Sequence, residues 1–310
     1  MVFNQPHDSD VLSAMMVKRR RLMDLRVLSY FLAVAREESF SKAAAAIHVS
    51  QPTLSRQIAE LEAELGKQLF VRGTRTLSLT AEGQFLKKRA QELLSLAEKT
   101  ETEIRGDMDE ISGNIYIGAG ETYGIHTITQ AFRNLQETYP DIYLHFSSGD
   151  GRDLAYQLDN GLIDMAVVFG DFDHSRYESI ELPFRDRMGI YLRKDDALAK
   201  RKQIFPEKDL IDKPIIVNRE SSGDLIPGIR LHRFRIIGTY NLLYNASLMA
   251  EDGLGYVVGL EHIIHTEGTG LVFIPFAPEY RLKMHLIYKK FQVMQRHVIL
   301  LIDEIRKIAD

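Results

Sequence analysis

Apolar residues recur along the first third of the chain at the spacing of short helices, and along the rest as alternating strands and helices. Residues 1–22 show no clear period and read as a disordered lead-in, with Met23 directly before the first amphipathic stretch. Leu25, Leu28, Phe31, Leu32 and Ala35 fall on one helical face. Glu37 and Glu38 break that stripe, and Ser39 can cap a second short helix through Ala43–Ala46 and Ile47. Four consecutive alanines minimise side-chain bulk where two helices cross closely. Ser50 is another good N-cap, and Pro52 sits in a first turn, where a missing N–H costs nothing. Leu54, Ile58, Leu61 and Leu65 then run at helical spacing until Gly66 supplies the stop. Two short extended runs, Leu69–Arg72 and Thr76–Thr80, flank a turn at Gly73-Thr74-Arg75 and predict a hairpin wing.

Thr80 can cap a helix that continues without proline to about Met108, roughly 40 Å at the helical rise, longer than a compact domain needs. Leu86, Ala90, Leu93, Ala97, Ile104 and Ile111 fit an a/d heptad, interrupted by Thr100 and Asp107. This favours two packed helices over an extended coiled coil, with a long helix packed on its own body as the alternative. Beyond Ile111 the pattern becomes strand Asn114–Gly118, a helix ended by Pro140, strand Ile142–Phe146, helix Leu154–Leu162 and the apolar strand Met165–Phe169. A second set follows: Met188–Leu192, Pro214–Val217, Ile236–Gly238, helix Leu242–Glu251, Gly255–Leu260, Leu271–Pro275, Leu282–Tyr288 and a closing helix Val293–Ile308. The β-α-β order predicts largely parallel sheets with helices on both faces, in an α/β multidomain chain.

Composition narrows the class. At 310 residues the chain exceeds one compact core, and its 45% apolar and 26% charged content excludes wholesale disorder. No apolar run approaches the ~18–20 residues that span a bilayer, and the basic run Lys18–Arg21 follows a mixed polar stretch, unlike a signal peptide. The expectation is a soluble intracellular protein. With no cysteine, a disulfide framework, iron–sulfur clusters, thiolate zinc sites and thiol redox sensing are excluded. The net charge of −4 hides an asymmetry: residues 18–90 carry +7 and residues 91–310 carry −9. A basic segment of this kind points to nucleic-acid contact by one part of a chain. Gln51, Thr53, Ser55, Arg56 and Gln57 cluster at the outward tip of the third helix. Hydroxyls, amides and a guanidinium there are the groups that read base edges and bind phosphates.

From Leu25 to Gly83 the sequence resembles the LysR-type transcriptional regulators. Phe31, Ser39-Phe40-Ser41, Ala43-Ala44, Val49-Ser50-Gln51-Pro52, Ser55, Leu61-Glu62, Leu65-Gly66, Leu69-Phe70, Arg72 and Leu79-Thr80 carry the likeness. It implies a winged helix-turn-helix over 23–80, with Ser50, Gln51, Pro52, Thr53, Ser55 and Arg56 facing double-stranded promoter DNA and Arg72 and Arg75 on the wing. It implies a linker helix over 81–111 that makes homodimers, which pair into homotetramers, and contact with RNA polymerase. Residues 112–310 would form a type 2 periplasmic-binding-protein-like effector domain, with subdomain I at about 112–186 and 279–310 and subdomain II at about 187–278.

In open α/β sheets ligands sit beyond the carboxyl ends of strands, often at helix N-termini. Gly120, Glu121, Thr122, Ser147, Ser148 and Asn218 are therefore candidate cleft residues for a small-molecule effector, with Tyr240 and Asn241 opening the helix that faces them. Each is also an ordinary turn or capping type. Family members often bind carboxylates, but Glu121 at the mouth would repel an anion, which widens the expected ligand to zwitterionic or amine-bearing metabolites. No metal or cofactor is expected: the glycines at 118, 120 and 124 miss the dinucleotide fingerprint, and there is no Walker A or nucleophile-elbow sequence. Glu261, His262 and His265 are read as one helical segment, but not in the zinc-protease order. The competing reading is a periplasmic-binding-fold binding protein or enzyme whose N-terminal helices serve dimerisation only. The polar tip at 51–57 argues against it, because an interaction helix would be apolar there.

Overall fold

The computed structural model of the chain describes residues 24–72, 77–105, 111–221, 223–292 and 294–309. The lead-in and Arg75 lie outside the described residues, as does the side chain of Arg72. The chain divides into two compact units, Met1–Ile104 and Arg105–Asp310.

The first unit contains α1 (Leu25–Glu37), α2 (Phe40–Ala46), α3 (Gln51–Leu65), the hairpin of β1 (Phe70–Arg72) and β2 (Leu77–Leu79), and α4 (Ala81–Arg105). Side-chain caps set the helix starts: Ser39 accepts from Lys42 N, and Ser50 from Thr53 N. Left-handed residues end α1 at Glu38 and α3 at Gly66. Leu28, Phe31 and Val34 of α1 pack on Ala43 and Ala44 of α2 and on Leu54, Ile58 and Leu61 of α3 in one core. Two expectations shift here. Leu25 is exposed while Val34 is fully buried, so the inner face of α1 is rotated from the one expected. Only Ala43 and Ala44 lie in the helix crossing, whereas Ala45 and Ala46 are exposed.

The hairpin is tied down by polar groups. The buried Glu62 carboxylate accepts from the backbone N–H groups of Leu69 (2.7 Å) and Phe70 (3.2 Å), which open the first strand. Thr80 Oγ1 donates to Gln68 O at 2.8 Å and accepts from Gly83 N at 2.9 Å, capping α4 while binding it to the hairpin base. A Cβ at Gly83 would lie 2.1 Å from Leu69 O, so close an approach that only glycine fits. Leu86 and Ala90 are buried in this same core. The first positions of the expected heptad therefore serve their own domain, while Phe85, Leu93, Leu96 and Ile104 stand exposed on a neighbouring face of α4.

The second unit carries two mixed sheets. Its first lobe is a five-stranded sheet of order β4-β3-β5-β15-β6, built from β3 (Gly113–Ala119), β4 (Ile142–Ser148), β5 (Met165–Phe169), β6 (Tyr177–Glu181) and β15 (Met284–Lys289). The helices α5 (Ile125–Thr138) and α6 (Gly151–Asp159) follow β3 and β4, and α9 (Arg296–Ala309) ends the chain. The second lobe has the order β11-β8-β12-β7-β13, from β7 (Asp186–Arg193), β8 (Pro214–Asn218), β11 (Arg235–Tyr240), β12 (Tyr256–Leu260) and β13 (Leu271–Pro275). It also holds the short helix α7 (Pro206–Asp209), the hairpin β9 (Asp224–Ile226) with β10 (Ile229–Arg230), and α8 (Leu243–Glu251).

The sheets are less parallel than expected. β15 runs antiparallel to β5 and β6, and β7 antiparallel to β12 and β13. The reason is connectivity: the chain passes between lobes twice, and β15 re-enters the first sheet against its neighbours. The expected strand Leu282–Tyr288 splits accordingly into β14 (Arg281–Leu282), paired with Leu282 opposite Asp186 and Arg281 opposite Arg187, and β15. The two crossing segments thus lie side by side. Glu261–His265 is a turn rather than a helix, with His262 at φ +70°. β6 and the β9–β10 hairpin, too short to show a period, add to the expected elements.

Glu62→Ala leaves two buried N–H groups without an acceptor, and Gly83→Ala forces α4 off the hairpin. Each should lower the stability of the first unit by about 2 kcal/mol or more. The midpoint of urea unfolding, followed by helix circular dichroism, is the check. An unchanged midpoint for both would remove the hairpin clamp.

Candidate functional site

Two places concentrate functional groups. In the first unit, α3 hides Leu54, Ile58 and Leu61 and turns its N-terminal end outward. Ser50, Gln51, Pro52, Thr53 and Arg56 are exposed there, and Ser55 is half-buried. The Ser50 hydroxyl lies 2.7 Å from that of Thr53, so these two share a hydrogen bond while Ser50 also caps the helix. Glu60, which sequence reasoning passed over, contacts both polar neighbours. It accepts from Gln57 Nε2 at 2.8 Å and lies 3.6 Å from Arg56 Nε. Its signal was present as i,i+3 and i,i+4 spacing on one helix. The exposed Arg56–Glu60 pair is a weak one, and a phosphate or base edge can replace it.

In the second unit, the segments beyond the carboxyl ends of β3, β4, β8 and β11 meet between the two lobes through hydrogen bonds. The expected residues separate there by role. Thr122 is buried and committed to the fold: its hydroxyl donates to Asp186 Oδ2 at 2.5 Å and accepts from Gly124 N at 2.9 Å. Ser147, opposite Gly118 in the β3–β4 register, is directed beneath α6, near Leu154. Its buried hydroxyl has no hydrogen-bond partner among the described residues. Tyr240 ends β11 and Asn241 precedes α8 rather than opening it. The Tyr240 hydroxyl donates to Val258 O at 2.7 Å, and burial, with Glu121 nearby, raises its pKa well above the ordinary phenol value. Asn218 accepts from Glu220 N at 2.8 Å, and Asn241 from Leu242 N at 3.0 Å, each closing a local turn. Ser148 is exposed, and Gly120 is held beside the Phe169 ring, where a Cβ would approach to 2.9 Å.

Glu121 is not a free carboxylate at the mouth. It crosses to the other lobe and accepts from Leu243 N, the first amide of α8. The opposite crossing is made by Glu220, whose carboxylate accepts from Gly151 N (2.8 Å) and Arg152 N (3.2 Å), the first amides of α6. Arg219 adds an ion pair to the buried Asp150, with Nε at 2.7 Å from Oδ2, and reaches Asp153 at 3.4 Å. Asp150, Arg219 and Glu220 were missed from sequence. The only local signal was Asp150 as the N-cap of α6, accepting from Asp153 N at 3.0 Å.

At the crossing strands, Asp186 also accepts from Tyr123 N at 3.4 Å, and burial outweighs these donors to push its carboxyl above the usual range. Among the described residues, no group of three His, Asp or Glu side chains could hold a metal ion. No described helix is long and apolar enough to cross a membrane.

The comparisons agree with this division. The model of the bacterial regulatory helix-turn-helix protein, lysR family, matches residues 25–84, and that of the LysR substrate binding domain matches 108–310. A probable RuBisCO transcriptional regulator of Trichormus variabilis is 31% identical over 188 residues, 60% of this chain and 55% of that protein. A hydrogen peroxide-inducible genes activator of Pectobacterium carotovorum is 31% identical over 183 residues, 59% of this chain and 60% of the relative. The matches thus span about half to three fifths of these relatives' lengths. The crystal structure of CbnR, a LysR family transcriptional regulator, shares the fold at a TM-score of 0.71 and 19% identity, covering 93% of this chain and 100% of that one. Full-length OxyR of Pseudomonas aeruginosa does so at 0.53 and 24%, covering 92% and 100%.

The Asp186 shift predicts a pH signature. A carboxyl whose folded pKa is raised costs stability once it ionises, so the protein loses stability as pH rises from the ordinary Asp range through the folded pKa. Asp186→Asn cannot ionise. Its stability relative to the parent should therefore be most favourable near neutral pH, decline as pH falls through the raised folded pKa toward about 4, and level off below that. Unfolding midpoints across that range check the sign, and a relative stability that grows toward acid pH would refute the burial effect.

Proposed function

The chain belongs to the LysR family, whose two models together account for residues 25–84 and 108–310. From that premise we propose that it is a transcriptional regulator that binds promoter DNA through α3 and its wing, and responds to a small molecule in the cleft of the second unit. The observation that carries the reading is the polar, exposed tip of α3 above a fully buried apolar stripe. An interaction helix would present apolar side chains at that tip, so the dimerisation-only alternative is disfavoured. Recognition helices of a dimer would enter successive major grooves of an interrupted palindrome. Gln51, Thr53 and Ser55 would read base edges, Arg56 would contact a phosphate or base edge, and Arg72 and Arg75 on the wing would contact backbone phosphate.

Phe85, Leu93, Leu96 and Ile104 give α4 an exposed apolar face suited to a second copy of the helix, which supports a homodimer and its pairing into a tetramer. A related full-length CbnR structure holds its target DNA, at a TM-score of 0.71 and 20% identity. Effector binding would alter the arrangement of subunits on DNA, and with it contact with RNA polymerase, in the cytoplasm. Although one relative is a hydrogen peroxide-inducible activator, the absence of cysteine leaves this chain no thiol to oxidise. A bound molecule is then the signal.

Footprinting on the DNA upstream of the protein's own gene tests the reading. Protection is expected at low salt. Gln51→Ala should change base preference, whereas Arg72→Ala should weaken binding on every sequence and flatten the salt slope by about one. Glu60→Gln, which releases Arg56, should tighten binding up to about fivefold without altering preference. No protection at low salt, together with indifference to Arg56→Ala, would sink the proposal.

A further inference from the structure

Both helices that point their N-termini into the cleft are already liganded by the protein itself. The first amides of a helix have no partner within it, and the positive end of the helix dipole favours a carboxylate. At α6 the acceptor is Glu220, which belongs to the second lobe. At α8 it is Glu121, which belongs to the first. Each lobe therefore inserts a carboxylate into the helix end of the other, and the Arg219–Asp150 pair lies beside one of these contacts. The lobes are also joined by two crossing segments held together at β7 and β14, where Asp186 accepts from Thr122, the neighbour of Glu121. Two covalent crossings together with non-covalent carboxylate contacts between the same lobes are the parts of a hinge and its fastening.

We propose that Glu121 and Glu220 form a reciprocal latch, built-in anionic ligands that hold the two lobes closed without any small molecule. The latch deepens the reading of this cleft as the effector site and, as a regulatory device, rests on it. Two contacts spanning the same pair of rigid bodies are thermodynamically coupled: releasing one lowers the cost of releasing the other. A pair of independent local caps carries no such coupling. The amides of Gly151, Arg152 and Leu243 report on it directly, because their acceptors lie wholly on the opposite lobe.

Amide hydrogen exchange on the full chain, free of DNA and added ligand, reads the coupling by mass spectrometry of overlapping peptides. Glu220→Gln should speed exchange at Gly151 and Arg152, and also at the distant Leu243, by about tenfold or more. Glu121→Gln should do the reverse, speeding Leu243 and also Gly151 and Arg152. Two variants on opposite lobes keep the test standing if one folds poorly. Exchange that rises only at the helix end whose carboxylate was changed would overturn the latch. Since the measurement uses no DNA, a failed footprint would leave its result untouched, and an uncoupled result would leave the DNA-binding reading intact.

Discussion

A backbone N–H that secondary structure leaves unpaired needs an acceptor, at a cost of about 1–3 kcal/mol where it is buried and unmet, and this chain repeatedly supplies side-chain carboxylates for that purpose. Glu62 serves the opening of the wing, with both Leu69 N and Phe70 N on one oxygen. Asp164 serves Tyr116 N in the first lobe at 2.8 Å, and Asp209 serves Phe205 N at 2.9 Å in the second. Glu251 reaches Gly270 N at 3.0 Å. Glu121 and Glu220 do the same across the cleft. The wing's position on the helical domain and the closure of the sensor lobes rest on one kind of interaction, a charged acceptor on amides that secondary structure leaves unpaired.

That pattern changes the meaning of the acidic excess of residues 91–310. Part of it is solvated surface, but several of its carboxylates are structural acceptors. In the proposed role a −9 body would let a basic reader bind DNA without itself adhering to it, and it supplies groups that fasten loops and lobes. The family resemblance and the sequence-level expectation of a ligand-responsive DNA binder agree with the domain matches, because the features behind them are local. Caps at Ser39 and Ser50, the stop at Gly66 and the apolar stripe of α3 are set by residues within one or two turns.

What could not be read was nonlocal. Strand direction leaves no trace in hydrophobic period, so the antiparallel entry of β15 and β7 was invisible. Helical spacing alone cannot tell a face buried in its own domain from one left exposed, which is why Leu86 and Ala90 were assigned to the same seam as Leu93 and Ile104. The cleft was half visible: its strand ends could be placed from the α/β order, but its contacts join residues 69 and 122 positions apart. Glu121 is legible in the sequence as an acidic residue just beyond the end of β3. The inference drawn from it was incomplete, because its charge is already engaged by a helix end.

That engagement constrains any ligand of the cleft. A small molecule shifts a conformational equilibrium only by the difference between its affinities for the two states. If the latch holds the lobes, an anion directed at either helix end must first displace a protein carboxylate that is tethered and therefore present at high effective concentration. Such a ligand would favour the open arrangement. A zwitterion or amine that leaves both helix ends liganded would instead add contacts to the closed one. The same cleft can thus convert opposite ligand chemistries into opposite lobe movements, with the sign set by whether Glu121 and Glu220 keep their amides.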